Sequence, residues 1–445
     1  MKKSFWIAKS FAFEQSKKII LLVLSALYSL IVANALGPSS YGLVTFFISF
    51  TSVVMIFGIA FLQNMLSVFL PKWKNLKLIK TIAKIEFAIA VPVLLAIAVF
   101  SPQINTMLNK QSPLILSFAS LHMLLMIAFT TTTVILRSLK LFGKNLKMET
   151  TMQFFNLLAT STLIFVFGLQ ALAVVFGQMI AVAIAIALFF RWWPNIEKNL
   201  KISKKELNRK NIEELKRYAV SGLPASIVKR TYQFLYTLLF GLFVPTVMLG
   251  YYYLAEKIFS VMVSKTATSL GDVVMPFTME ERKKENLAKI LSLTIKVNFL
   301  ISLVGSVAVA LIMPILLFFF FPSYYNAITL VPFLAAISIT RSFIVANQGF
   351  ASLNEMEKQL KVNLISLTTA LIFGVLFAPR FNIYALLVMP IIASTVNAVV
   401  SKYYFRKLGI DIEYIPRKQD IIFFLDKISE LLKSSLKRIK MLLKR

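Results

Sequence analysis

Apolar residues in this chain come in long blocks, and most polar residues are gathered into short gaps between them. Each block runs to about 20 residues or more, the length a helix needs to cross a hydrocarbon core about 30 Å thick. Twelve such runs are legible: 11–35, 42–69, 80–100, 113–136, 149–169, 171–190, 217–241, 246–273, 288–321, 326–350, 361–379 and 383–405. Segments of this kind must satisfy their backbone polar groups internally, so each is read as a membrane helix. Runs 5 and 6 touch at Gly168-Leu169-Gln170. Fusing them into one span would break the alternation of the gaps.

That alternation is one of charge. Basic residues crowd the N-terminus, the even-numbered gaps and the tail: Lys72, Lys74 and Lys77 in the second gap, Arg137, Lys140, Lys144 and Lys147 in the fourth, Lys198, Lys201, Lys204 and Lys205 in the sixth. The odd-numbered gaps hold only Lys110 and Arg380. Positive-inside bias then places both termini in the cytoplasm of a multi-pass plasma-membrane (inner-membrane) protein. The net charge of +30, from 49 basic and 19 acidic residues, is largely a topology signal, and a nucleic-acid partner is excluded. Lys2-Lys3, an apolar stretch and Ala33-Asn34-Ala35 imitate a signal peptide. The apolar run is too long for its core, so no cleavage is expected. The chain has no Cys and one His. Disulfides, thiol catalysis and Cys or multi-His metal sites are excluded, and no cofactor is expected.

The long basic gap Arg191–Arg217 divides the runs into two sets of six. An even number of spans per half keeps the halves in the same orientation, related by a pseudo-two-fold axis along the membrane normal. The expected organisation is an N-terminal six-helix lobe (1–190), a basic cytoplasmic linker (191–216), a C-terminal six-helix lobe (217–405) and a basic cytoplasmic tail (406–445). The fold class is all-α integral membrane, twelve transmembrane helices in two lobes. Pro38-Ser39-Ser40-Tyr41-Gly42 opens run 2 and Pro245-Thr246-Val247-Met248-Leu249-Gly250-Tyr251 opens run 8, a weak internal match. In the tail, Ile421, Leu425, Ile428, Leu432, Leu436, Ile439 and Leu443 recur at helical spacing, with Lys427, Lys433, Lys437, Lys440 and Lys444 on the other sides. This is the pattern of a basic amphipathic helix lying on anionic membrane lipids.

Six cations fall inside apolar runs of the second half: Lys229, Arg230, Lys257, Lys265, Lys296 and Arg341. A cation at the bilayer centre costs about 2.5–3.5 kcal/mol. Six facing lipid would cost about 15–20 kcal/mol, more than a typical fold has to spare. They are expected to face water and an anion in a cavity that holds a negatively charged group. Lys229 lies about 12 residues, or roughly 18 Å, into its run, near mid-membrane. Ser226, Lys229, Gln233 and Tyr236 share one helix face; Lys257, Lys265, Thr268 and Asp272 share another; Ser292 aligns with Lys296, and Ser338 and Gln348 align with Arg341. Ion pairing with Glu256 or Asp272 is the alternative for two of the cations. Those carboxylates, with Glu86 and His122 of the first half, are the candidates for ion coupling. Glu86 stands two residues from Lys84, an available ion-pair partner. Thr130 to Thr133, Gln153, Asn156 and Thr160 are expected to pack helix against helix.

Ala35-Leu36-Gly37-Pro38-Ser39-Ser40-Tyr41-Gly42 resembles the signature turn of polysaccharide-type flippases, the Wzx-like exporters of O-antigen and lipid-linked oligosaccharides in the MOP superfamily. Gly250-Tyr251-Tyr252-Tyr253-Leu254-Ala255 resembles the start of that family's helix 8, and Phe321-Pro322-Ser323-Tyr324-Tyr325-Asn326-Ala327 the segment before its helix 10. The resemblance spans roughly residues 5–405. It departs at Asn34, where the family commonly carries Arg. Twelve helices also differ from the fourteen usual in the peptidoglycan-precursor branch. The resemblance implies alternating access that moves a polyprenyl-pyrophosphate oligosaccharide to the outer leaflet, with polysaccharide assembly proteins as partners. The chain is expected not to be an enzyme. A MATE-type antiporter of cationic cargo is the first rival, and six cavity cations would repel such cargo. A glycosyltransferase or polymerase is the second, and the outer gaps hold no Asp or Glu for its chemistry.

Overall fold

A computed structural model describes residues 2–110, 112–202, 209–260, 263, 284–353 and 355–420. Among them the chain is helical almost throughout, with no strand. The helices are α1 (Lys2–Thr51), α2 (Ile59–Trp73), α3 (Leu76–Val99), α4 (Ser101–Met107), α5 (Pro113–Ser138), α6 (Phe142–Phe165), α7 (Gln170–Ile202) and α8 (Arg209–Phe243). They continue as α9 (Thr246–Phe259), α10 (Lys284–Phe320), α11 (Val331–Arg341), α12 (Asn347–Ser352), α13 (Met356–Phe381) and α14 (Ile383–Lys407). Each expected run overlies one or more of these helices. Among the described residues, eight stretches are long and apolar enough to cross a membrane. The first of them runs from Ile20 through the 3-10 turn Ser52–Phe57; α2, at 15 residues, and α9, at 14, are too short to join the set, and α6 and α8 are more polar. The amphipathic tail helix expected over 421–443 lies outside the described residues.

Local chemistry sets the ends of these helices. Asn75 precedes α3 with extended backbone, and its Oδ1 accepts from the N–H groups of Lys77 (2.7 Å) and Leu78 (3.3 Å). Two amides that a helix start leaves orphaned are thereby satisfied. Pro102 and Pro113 stand in the first turns of α4 and α5, where a missing N–H does no harm. Gly37 breaks α1 with φ of 68°, a left-handed conformation that glycine reaches without a Cβ penalty. The break and the Pro38 that follows it end one helix and start the next within a single turn, as the spacing of that motif predicts.

Two compact units emerge. The first comprises Met1–Ala255, Pro314–Leu330 and Gly374–Leu386; the second Glu256–Met313, Val331–Phe373 and Leu387–Arg445. This partition does not fall at the basic linker. The turns of the C-terminal half expected on the outer side, 314–330 and 374–386, cluster with the N-terminal half.

The reason is visible where the three motif stretches meet inside the first unit. The Tyr324 hydroxyl donates to the Ala33 carbonyl at 3.0 Å, and the Asn34 amide donates to the Phe320 carbonyl at 2.7 Å. Tyr41 and Tyr251 both set their rings edge-on to Tyr324, each at 6.1 Å. Ser39 and Thr246 hydroxyls lie 3.1 Å apart. A Cβ built on Gly250 would collide with the Pro38 carbonyl, and one on Gly42 with the Gly250 backbone. The two glycines therefore let α1 and α9 touch backbone to backbone. Nearby, the buried Lys110 ammonium donates to the Val244 carbonyl at 3.0 Å, and its burial pulls the pKa below the ordinary lysine value. The inner part of this unit is a core of Phe61, Leu66, Phe69, Leu70, Ile82, Leu136 and Phe189 from α2, α3, α5 and α7.

The second unit is built on Leu287, Leu291 and Ile295 of α10 against Phe350, Val362 and Phe405. Phe350 stacks on Phe405 at 4.1 Å. The chain does not leave this unit where α14 ends. Gly409 turns it back with φ of 75°, and Ile410, Ile412 and Tyr414 are buried in the same core. Residues 408–414 are thus packed protein, which the basic composition of the tail conceals.

The glycine contact gives the first prediction. Gly42→Ala and Gly250→Ala should each destabilise the protein by about 1–3 kcal/mol, the usual penalty of overpacking. Both act on one contact, so the double variant should fall short of their sum. Thermal melts of the purified variants measure this; wild-type melting of both would disprove the close approach.

Candidate functional site

α8 carries the strongest polar signal in the first unit. The Lys229 side chain is exposed, although it lies in the middle of an otherwise apolar stretch. Arg230, half-buried, donates from Nη1 to Gln233 Oε1 at 3.0 Å. None of the ion pairs among the described residues involves either cation. Adjacent positive charges repel, and a cation left in hydrocarbon is costly, so the space beside Lys229 favours water or an anion. Beside this pair runs an aromatic ladder. Tyr232 stacks on Tyr236 (6.2 Å), Tyr236 meets Phe240 (4.8 Å), and Phe240 meets Tyr252 of α9 (4.7 Å). One helix thus presents two cations, an amide and three aromatic rings, two of them phenols. Such a set recognises an anion attached to a hydroxyl-rich or ring-shaped group.

The other expected cations belong to the second unit or lie outside the described residues. Lys257 and Glu256 are half-buried on α9. Arg341 is the last residue of α11 and is exposed. Lys265 and Asp272 fall outside the described residues, and for Gln348 only the backbone, in α12, is described.

Lys296 has a different environment from the one expected. It is buried, and its ammonium meets Glu413 Oε2 at 2.5 Å and Asp420 Oδ2 at 2.9 Å. The Glu413 N–H also donates to the Ser292 hydroxyl at 3.0 Å, so the returning segment follows the Ser292–Lys296 face of α10. Arg417 in turn bonds Glu413, and its N–H donates to Asp420 at 2.7 Å. An open anion site is therefore not what surrounds Lys296 here; two carboxylates neutralise it. Spacing along the sequence gave no sign of partners more than a hundred residues away.

The threonines of the first half bond chiefly within their own helix: Thr130, Thr131, Thr132 and Thr133 each donate to a backbone carbonyl three or four residues earlier. Thr160 donates to Asn156 at 3.2 Å and sits where α7 brings Gly177 against it. His122 is buried with Nδ1 lacking a hydrogen-bond partner. Glu86 is fully buried, whereas Lys84 is exposed and forms no ion pair with it among the described residues. Residues two apart on a helix point in different directions, so the pairing with Lys84 is not made.

A polar network in the second unit escaped the sequence pattern. Asn347 and Asn397 both donate to Asn363 Oδ1, at 3.3 and 3.4 Å, and Ser401 donates to Asn347 Oδ1 at 3.2 Å. Single asparagines on three different helices leave no periodic trace. Among the described residues no group of His, Cys, Asp or Glu is arranged to hold a metal ion.

Comparison with known proteins adds the family context. Residues 8–280 match the family model described as polysaccharide biosynthesis protein. No curated protein matches the chain. Among solved structures it is similar to the lipid II flippase MurJ in an inward closed conformation, with a TM-score of 0.66, 15% identity, and coverage of 97% of this chain and 93% of that one. An inward-facing multidrug resistance MATE transporter of the MOP superfamily gives a TM-score of 0.63 at 15% identity, covering 93% and 96%. A Pyrococcus furiosus MOP superfamily transporter, described by the reverse polarity of its binding pocket, gives 0.53 at 14% identity, covering 91% and 94%. At these identities the likeness is one of fold.

The Lys296 cluster gives a pH prediction. The bond from Lys296, then that from the Arg417 N–H, holds the Asp420 carboxyl below its ordinary value. A carboxyl depressed in the folded state stabilises above its unfolded pKa of about 3.9, and the contribution is lost as pH falls through the lower folded value. Asp420→Asn should therefore melt below wild type at pH 7, and the gap should close below about pH 4. A gap unchanged by acid would mean that Asp420 is not held by charge.

Proposed function

Because the chain belongs to the polysaccharide biosynthesis protein family, and folds as the MOP superfamily transporters and flippases do, we propose that it is a flippase for a lipid-linked oligosaccharide. Its substrate is a polyprenyl-pyrophosphate glycan, taken from the cytoplasmic leaflet and delivered to the outer leaflet by alternating access of two lobes. The observation that carries this reading is Lys229, an exposed cation in mid-helix, beside the Arg230–Gln233 pair. Lys binds phosphate as a point charge and Arg as a planar fork. The aromatic ladder of α8 and α9 offers ring faces to the first sugars. The lipid tail stays in the bilayer while the headgroup crosses. Lys257, Lys265 and Arg341 are assigned to the same anion-attracting role, with Gln233 and Gln348 as neutral donors.

The reading accounts for the basic composition without nucleic acid and for the absence of a Walker A motif from the sequence: the chain hydrolyses no nucleotide and makes no covalent bond to its cargo. The similar flippase acts on lipid II by its name, which is the same chemical class of cargo. The similar MATE structures keep a second reading open, an antiporter of small molecules. Cationic cargo would be repelled by Lys229 and Arg230, and this disfavours it. In this reading both termini lie in the cytoplasm, and the partners are polysaccharide assembly proteins.

The test is flipping of a fluorescent polyprenyl-pyrophosphate glycan in proteoliposomes. Losing one charge-assisted bond of about 1.5–3 kcal/mol should slow flipping by about tenfold or more in Lys229→Ala and in Arg230→Ala, with melting unchanged. Lys296→Ala should lower the melting temperature first, since it strands Glu413 and Asp420. Wild-type rates in both α8 variants would remove the anion site from α8. Wild-type movement of small organic cations alone would transfer the protein to the antiporter reading.

A further inference from the structure

Glu86 lies ten residues into α3, about 15 Å along its axis, and is fully buried. Its Oε2 is 2.7 Å from the Thr131 hydroxyl of α5, and its Oε1 has no hydrogen-bond partner. Thr131 Oγ1 also lies 2.9 Å from the Ile127 carbonyl and 3.4 Å from Gln63 Nε2 of α2. Gln63 Nε2 donates in addition to Thr130 Oγ1 at 2.8 Å. Gln63 and Thr130 are only half-buried, so a short chain of polar groups leads from partly accessible positions to the carboxyl.

The hydrogens in this cluster can be counted. A threonine hydroxyl has one hydrogen, and two acceptors lie within reach of it. An ionised Glu86 would take that hydrogen, leave Oε1 bare, and stand as a charge in the apolar interior with a single donor, which is not sustained. A carboxylic acid resolves the count: Oε2–H donates to Thr131, Thr131 donates to Ile127, and Gln63 donates to the two threonines. Charged and titratable groups on the surrounding helices do not change this. On α3 itself Lys77 and Lys84 are exposed and Lys80 reaches Glu197 of α7 at 3.9 Å. On α2 Lys72 pairs with Glu214, and on α5 Arg137 pairs with Glu149. Arg191 and Lys198 lie toward the inner end of α7. His122 lies nine residues before Thr131 on α5, about 14 Å along the axis. None of these forms an ion pair with Glu86 among the described residues.

We propose that Glu86, with Thr131 and Gln63, is a proton-binding site whose loading and unloading accompany each transport cycle. One proton binds the carboxylate to give the neutral acid that the hydrogen count requires, and the same proton leaves when the site opens to water on the other side. No other reactant is needed. The neutral acid packs against α5, whereas the carboxylate demands water. Proton release is thereby tied to separation of α3 from α5, and a proton gradient becomes a force on the helices. The inference rests on the flippase reading for its cargo but not for its site.

Two measurements test it. In proteoliposomes, an imposed proton gradient of about one pH unit, acid on the outer side, should speed wild-type flipping of the polyprenyl-pyrophosphate glycan by up to about tenfold. Glu86→Gln, which mimics the neutral acid, should flip at one slow rate with and without the gradient, while Glu86→Asp should keep part of the response. A wild type that flips regardless of the gradient, or a Glu86→Gln variant that still responds, overturns the proton site and leaves the flippase reading standing. Infrared spectroscopy of the protein without substrate reads the site directly. Wild type at pH 7.5 should show the C=O band of a protonated carboxyl, shifted in Thr131→Val and missing from Glu86→Gln. Absence of that band from wild type overturns the inference even if the Gln variant does not fold. Failure of wild type to flip the glycan at all, with the band present, counts against the cargo and supports the site.

Discussion

A charge in hydrocarbon must find a partner, water, or a proton to neutralise it, and the polar groups of this protein are sorted by which of the three they find. Lys296 takes partners: two carboxylates, brought back by a chain that turns at Gly409 and buries Ile410 and Ile412 on its way. Lys110 takes a carbonyl at a helix end. Glu86, deep in α3, has one hydroxyl and no cation. Lys229 has no ion-pair partner among the described residues and stands exposed. The same penalty of a few kcal/mol per charge thus underlies a structural anchor at Lys296, a tether at Lys110, and the sites proposed above at Glu86 and Lys229. What separates them is the other half of each interaction, not the type of residue.

Much of the fold was legible because membrane helices advertise themselves through length and hydropathy. Each run expected from the pattern overlies helix, and the break at Gly37-Pro38 falls where the turn chemistry puts it. The motif stretches were legible as signatures but not as neighbours. Asn34, Tyr41, Gly42, Gly250, Tyr251 and Tyr324 meet in one cluster, although nearly three hundred residues separate the first from the last. Asn34, the position where the motif departs from the resemblance, is no loose end: it tethers the Phe320 carbonyl. No local property of the sequence reports such a meeting. Packing of glycine on backbone and hydroxyl on carbonyl carries no period.

The candidate site was legible only in part, for a related reason. Burying a cation in an apolar run announces that something compensates it, without saying what. For Lys229 and Arg230 the compensation left open is water or cargo. For Lys296 it is Glu413 and Asp420, residues from a stretch whose surroundings are rich in lysine and which therefore read as solvated tail. Glu86 shows the reverse case. Its nearness to Lys84 in sequence pointed to a pair, and helix geometry turns the two side chains apart. An i, i+2 spacing separates groups on a helix, while an i, i+4 spacing would have joined them.

These placements also bear on how such a protein moves. In the first unit the tethers are short-range and backbone-directed: a carbonyl held by Tyr324, another by Asn34, a third by Lys110, and two glycines in contact. Each is a modest interaction, about 1 kcal/mol net for the neutral bonds and about 1.5–3 kcal/mol for the one made by Lys110. The Glu86 site differs in kind, because the neutral acid favours packing and the carboxylate favours water. In the proposed cycle a handful of weak tethers is set against one titratable site, so that little free energy separates the arrangements it alternates between. A transporter that alternates between states needs that balance, since a ligand or a proton shifts an equilibrium only by its differential affinity for the two states.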